Sequence, residues 1–429
     1  MKVEVSDPAE LEEEPPRERR RSLRIRGHYL IVGGQAVGQL SMLAITPILT
    51  RAFTPAELGD YQIATAIALV ILPLTTLRYE FVIPISKSGH ATRRFLRRSA
   101  SAVITANLLL CATSLACLLF GKNATASMLA MTSMINIMYS WMALDNALLV
   151  RAQKIRKLAV RNLLSGLFSS AFQLLVVVLA PRAFALAAAV LVGRLLAIAF
   201  TRSGRISHRS IGDGVDDVAY GPVRAAFTVA SELVAGAAIH GLTFTSAALL
   251  GRGPAAYVAT AQRVSGVPAA LVGQGIGQAV QAVAAKAVNS GQGRLGPNML
   301  RAGIRLAVFA AAVGLSVAIL GPVLAVPVLG DQWEAVGTIL PILAAPIALR
   351  IIASALGPVL VMIGRERLAL VQQITQLVAG VGIAGAVAIM TSSLIWTVAA
   401  YSAVAVIAYA TYLVLIIKCV NRFDAEQTL

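Results

Sequence analysis

The sequence predicts an all-α polytopic membrane protein with twelve transmembrane helices in two halves of six. Three observations carry that expectation. First, 57% of the 429 residues are apolar and only 13% are charged, about half the roughly 25% charge of soluble domains. Second, the mean hydropathy is +0.76. Third, 37 Lys and Arg stand against 20 Asp and Glu, a net charge of +17. Such apolar content excludes disordered chains and soluble fibres. A soluble nucleic-acid binder can carry the cationic excess but not this hydropathy, so no nucleic-acid partner is expected. Cations in an apolar chain belong beside the bilayer, where they set orientation.

A spanning helix needs about 20 mostly apolar residues. The basic run RERRRSLRIR gives way to the first such stretch at 28–49, which leaves 1–27 as a disordered cytoplasmic tail. The second, 60–84, is longer than needed and contains Pro73. The third, 99–120, starts after Arg93, Arg94, Arg97 and Arg98. The fourth, 125–149, runs into the cluster Arg151, Lys154, Arg156, Lys157 and Arg161. The fifth and sixth, 160–180 and 184–201, complete a first bundle over 28–201. Residues 202–225 are rich in Gly, Ser and charge and read as a cytoplasmic linker. The second bundle, 226–418, holds 226–249, 256–286, 303–328, 336–362, 368–389 and 394–417, and 419–429 reads as a second cytoplasmic tail. Spans 256–286, 303–328 and 336–362 also exceed the minimum, which allows tilt or a kink at an internal proline. No loop is long enough for an extramembrane domain.

The Lys and Arg distribution orients the chain. With the N-terminus in the cytoplasm, 29 of the 37 cations fall on the cytoplasmic side, four on the opposite side and four within spans. One missed span would exchange the sides downstream and destroy this ratio. Both termini are therefore expected in the cytoplasm.

Six spans per half make a parallel repeat, with its axis along the membrane normal. The second span is entered through Arg51, Pro55, Gly59 and Tyr61, with Pro73 beyond; the eighth through Arg252, Pro254 and Tyr257, with Pro268 beyond. The stretch TRAFTPAELGDYQIATAIALVILPLTTLRYEFVIP (50–84) resembles the first extracytoplasmic turn and second helix of Wzx-type polysaccharide flippases. Its Thr50-Arg51, Thr54-Pro55 with Glu57, Gly59, Tyr61 and Arg78-Tyr79-Glu80 match that pattern. Ala261-Gln262-Arg263 with Pro268 is similar to the family's eighth helix, and Gly330 with Trp333 to its turn before the tenth.

That family belongs to the multidrug/oligosaccharidyl-lipid/polysaccharide exporter superfamily. The resemblance implies two six-helix bundles around a central cavity, alternating access, and a lipid-linked oligosaccharide as substrate. Its glycan members carry such units on undecaprenyl pyrophosphate from the inner to the outer leaflet, for exopolysaccharide or O-antigen assembly. The location implied is a bacterial cytoplasmic (inner) membrane, with membrane lipids and other polysaccharide assembly proteins as partners.

A pyrophosphate cannot cross hydrocarbon unaided, and an arginine fork suits its oxygens. The candidates are Arg78, Arg194, Arg263 and Arg350, each within a span. A lipid-facing Arg costs at least about 2.5 kcal/mol, so four of them point to a water-filled cavity. Rival readings stay open: an interface snorkel for Arg78, an interface anchor for Arg263, an interhelical ion pair for Arg350. Mid-span Arg194 favours cavity lining. Glu80 lies two residues after Arg78, a spacing at which helical side chains do not meet, so no local pair is expected there. Asp145, Glu232 and His240 are candidates for proton or sodium coupling; neutralising an arginine is the rival role for the acids, and a packing hydrogen bond for His240. Pro73 and Pro268 are hinge candidates.

Cys111, Cys117 and Cys419 form no ligand or disulfide pattern, so no metal site is expected. No phosphate loop, HExxH or GxSxG occurs. No catalytic residue, cofactor or enzymatic activity is expected. A cation-coupled multidrug exporter of the same superfamily is the main alternative. A membrane polysaccharide polymerase or ligase is weaker, because the outer loops are short.

Overall fold

The computed structural model describes residues 33–86, 89–152, 154–179, 182–201, 222–266, 295–363 and 365–427. The described chain is 94% helical and contains no strand, as the composition predicts. Helix α1 (33–44) passes through a turn at Ile45 into α2 (Thr46–Ala52), where Pro47 occupies the first turn. Helix α3 (Pro55–Thr76) opens on a capping box. The Thr54 hydroxyl accepts from the Glu57 N–H, and the Glu57 carboxylate accepts from the Thr54 N–H at 3.0 Å. Pro55, which lacks an N–H, takes a position where none is needed. The Thr-Pro-x-Glu of the sequence is thus a helix start.

The expected span 60–84 is not one helix. It breaks after Thr76, where Leu77 and Arg78 both adopt the left-handed conformation, with φ of 52° and 57°. The Thr75 and Thr76 hydroxyls both donate to the Leu72 carbonyl, which loosens the last turn. A single turn, α4 (Tyr79–Val82), and a 3-10 turn follow.

Next come α5 (Gly89–Leu119), α6 (Asn123–Arg151), α7 (Ile155–Leu179) and α8 (Ala183–Thr201). Beyond the undescribed 202–221 lie α9 (Pro222–Leu249) and α10 (252–266). Then follow α11 (Leu295–Leu329), a 3-10 turn over Asp331–Trp333, α12 (Glu334–Leu356), α13 (Pro358–Met362), α14 (Glu366–Thr391) and α15 (Leu394–Gln427). Helices α5, α11 and α15 overrun their expected spans, because a hydropathy reading sees only the hydrocarbon part of a helix.

Nine helical stretches among the described residues are long and apolar enough to cross a membrane: α3, α5, α7, α8, α9, α11, α12 with its flanks, α14 and α15. Helix α6, on the expected fourth span, is not among them. Expected spans 28–49 and 256–286 extend outside the described residues, as does most of the 202–225 linker.

Helix α3 packs on α6, α5 and α8, and α7 lies along α8. Helix α14 packs on α9 and α15, while α12 packs on α11 and α15. The two sets meet where α3 crosses α9 and where α2 meets α11. The main core runs through that meeting, with Leu49, Phe53, Leu58, Met131, Leu186, Leu242, Trp333 and Ile339 all buried. By contrast, α5 exposes Leu108, Leu109 and Leu115, and α11 exposes Val308, Leu315 and Val323. Large side chains spread along whole helices in this way suit contact with acyl chains.

Candidate functional site

Helix α8 approaches α7 closely at Gly193, where a Cβ would stand 2.5 Å from the Ser169 nitrogen. The next residue, Arg194, thereby turns inward and is 8% exposed. Its guanidinium lies 4.2 Å from the centroid of the Tyr139 ring and donates to the Tyr139 hydroxyl at 3.2 Å. Its other Nη lies 3.9 Å from the Met142 sulfur. Tyr139 and Met142 are neighbours on one face of α6.

Gln173 of α7 donates to the hydroxyl of buried Tyr61 of α3 at 3.3 Å. Arg263 of α10 donates to the Met42 carbonyl of α1 at 2.8 Å. Further along α10, Arg350 of α12 lies beside Gly266, its Nη 3.6 Å from where a Cβ would be. Among the described residues, no carboxylate lies within 4.0 Å of Arg194, Arg263 or Arg350.

Arg78 differs, and here the sequence expectation fails. It bonds Glu80 at 3.0 Å and Glu232 of α9 at 2.5 Å. The rule that residues two apart do not meet holds within a helix, but Arg78 stands in the break before α4. The break swings its side chain back over Glu80 and onto Phe81, 4.7 Å from the ring centroid. Glu232 is thus held by Arg78. His240, two turns further on α9, packs near Phe244 at 6.3 Å between ring centroids.

Asp145 pairs at 2.7 Å with Arg161, which is fully buried. Arg161 also donates to Asn146 at 2.9 Å and to Thr201 at 3.1 Å. The orientation count places Arg161 in a cytoplasmic loop; instead it lies within α7. An acid expected inside α6 is the signal that could have found it, since such a carboxylate needs a cation. Pro73 is buried within α3, three residues before its end. Pro268 lies outside the described residues. Among the described residues, no three His, Cys, Asp or Glu converge as metal ligands.

The two helix sets are joined most densely at the end that carries Trp333. The Trp333 indole donates to the Thr50 carbonyl at 2.7 Å, and Arg51 to the Pro327 carbonyl at 2.6 Å. Arg252 bonds Asp60 at 2.9 Å, and Gln62 bonds Thr260 at 2.9 Å. Tyr257 meets the Trp333 ring edge-on at 5.7 Å. In the sequence, Arg51, Tyr257 and Trp333 stand out as motif positions and give no sign of a closure. Along α3, from Asp60 to Thr76, this closure and the Arg78 end stand about 24 Å apart.

No family model matches the chain, and no curated protein matches it. Its fold is shared with solved transporters. A lipid II flippase MurJ in an inward closed conformation aligns with TM-score 0.67 at 12% identity, covering 94% of this chain and 91% of that one. An inward-facing multidrug resistance MATE family transporter of the MOP superfamily aligns with TM-score 0.58 at 15% identity, covering 91% and 94%. A MOP superfamily transporter from Pyrococcus furiosus, described by a binding pocket of reverse polarity, aligns with TM-score 0.56 at 13% identity, covering 96% and 93%. The structural neighbours are thus transporters and flippases, with a multi-pass membrane fold.

Proposed function

We propose that this protein is a flippase for a lipid-linked oligosaccharide. It moves a glycan on undecaprenyl pyrophosphate from the cytoplasmic to the outer leaflet by alternating access between two six-helix bundles, 28–201 and 226–418. Exopolysaccharide or O-antigen assembly is the process it feeds. The observation that carries this reading is the trio Arg194, Arg263 and Arg350, none of which has a carboxylate within 4.0 Å among the described residues. Unpaired guanidinium groups inside a membrane bundle are costly, and a pyrophosphate that enters and leaves gives them a partner. Half-buried Tyr139, beside Arg194, adds a hydroxyl of the kind that binds sugars.

The Lys and Arg bias supports a cytoplasmic Arg78 end, with the Trp333 closure facing outward. A multidrug exporter for cations would need an available acid beside the arginines. Asp145 and Glu232 are instead engaged by Arg161 and Arg78. Of the coupling candidates, Glu232 is 45% exposed, so a proton or sodium ion can reach it.

The test is reconstitution in liposomes with a defined polyprenyl-pyrophosphate glycan, scoring transfer between leaflets. Transfer is expected with the native chain and is lost in Arg194→Ala and Arg350→Ala at equal protein levels. Full transfer in both variants would overturn the role of the arginines. A deletion strain with an unchanged surface glycan would overturn the substrate.

A further inference from the structure

Arg78 has two carboxylates, and they differ in kind. Glu80 is local, 3.0 Å away and 11% exposed; Glu232 comes from α9, is 2.5 Å away and is 45% exposed. The local partner is fixed by the fold. Tyr79, between Arg78 and Glu80, is buried and stacks on Phe95 of α5 with ring centroids 4.8 Å apart. Glu80 Oε2 is buried and accepts no hydrogen bond among the described residues, so the local carboxylate has an oxygen to spare. The arrangement requires the two left-handed residues Leu77 and Arg78, a conformation that side-chain-bearing residues adopt at a cost and that marks functional sites.

We propose that Arg78 is an arginine latch between the two helix sets, opened by exchange of carboxylates. In the closed arrangement Arg78 bridges Glu80 and Glu232 and ties α4 to α9 at the Arg78 end. When the sets part, Nη2 leaves Glu232 and turns to the spare Oε2 of Glu80, giving a two-pronged Arg-carboxylate pair. Glu232, already half in water, is solvated. No buried charge is left without a partner, which is the step that makes most buried ion pairs hard to break. Opening and closing are therefore cheap in both directions, as a repeated cycle demands. The latch rests on alternating access in the proposed function but not on the identity of the cargo.

The two carboxylates have opposite expected effects. Spin labels are placed at Arg98 and Leu368, exposed positions near the Arg78 end of each helix set, in a background lacking Cys111, Cys117 and Cys419. Distances are measured by double electron–electron resonance in lipid nanodiscs without substrate. Glu232→Gln removes the bridge, so the distribution shifts to longer distances. Glu80→Gln removes the charge and one of the two oxygens that the two-pronged pair needs on opening, so the short-distance population grows and transfer slows severalfold. The exchanged pair Arg78→Glu with Glu232→Arg is expected to stay open, because Glu80 then repels the carboxylate introduced two residues before it. Shifts of the same sign in the two Gln variants, or no shift in either, overturn the latch. Opposite shifts in a protein that moves no glycan lipid keep the latch and overturn the substrate instead.

Discussion

Arg194 lies over the Tyr139 ring, 4.2 Å from its centroid, and donates to the hydroxyl of the same residue at 3.2 Å. One aromatic side chain thus meets the guanidinium with both its face and its oxygen, and one donor edge stays unclaimed: Nε has no hydrogen-bond partner among the described residues. A cation held by neutral groups is positioned without being neutralised.

Tyr139→Phe should separate these roles. The ring contact, worth about 0.5–2 kcal/mol, is kept, and the hydrogen bond to the charged group, worth about 1.5–3 kcal/mol, is lost. Transfer in liposomes is expected to fall by roughly tenfold, while Arg194→Ala abolishes it. Equal transfer in Tyr139→Phe and the native chain would show that the hydroxyl does not position Arg194.

The Asp145 and Arg161 pair is expected to act on stability and not on coupling. Arg161 is fully buried, and the Asp145 side chain is 17% exposed. Removing either partner alone leaves a buried charge and costs about 3–5 kcal/mol. Asp145→Leu with Arg161→Met together should recover most of that loss. Thermal unfolding in detergent reads both effects. Ion-dependent transfer that disappears in this double variant, with the melting temperature restored, would return Asp145 to a coupling role.

The membrane architecture was legible because hydrocarbon imposes length and apolarity on every span. Boundaries were less so, since α5 carries Arg93, Arg94, Arg97 and Arg98 on its helical first turns and hydropathy reads them as loop. The break at Leu77 was hidden because neither Leu77 nor Arg78 is a Gly or Pro. Pairing across helices was hidden as well. Nothing local couples Arg78 to Glu232, 154 positions away, or Asp145 to Arg161, and in a uniformly apolar helix periodicity does not show which face turns inward. Arg194, Arg263 and Arg350 could be singled out as intramembrane cations, but their lack of acid partners among the described residues is a property of packing.

Trp333→Phe tests the closure at the other end. The ring and its edge contact with Tyr257 survive, but the 2.7 Å bond to the Thr50 carbonyl does not. Leaving that carbonyl unsatisfied costs about 1–3 kcal/mol. The expected result is greater reactivity of a cysteine introduced at Thr260 toward a membrane-impermeant thiol reagent. Unchanged reactivity would mean that the indole bond does not hold this end shut.

Packing, more than charge, should hold that closure. The Arg252 side chain is 54% exposed and Asp60 22%, and a half-exposed pair contributes about 0–1 kcal/mol and weakens in salt. Asp60→Asn is therefore expected to change reactivity at position 260 little. Gly59, one residue earlier, is different. A Cβ there would collide with the Arg252 carbonyl oxygen, a backbone atom with no rotamer to yield. Gly59→Ala must push α3 and α10 apart. It is expected to raise cysteine reactivity more than Asp60→Asn does, and to do so equally at low and high salt. A larger, salt-sensitive effect of Asp60→Asn would assign the closure to the ion pair instead.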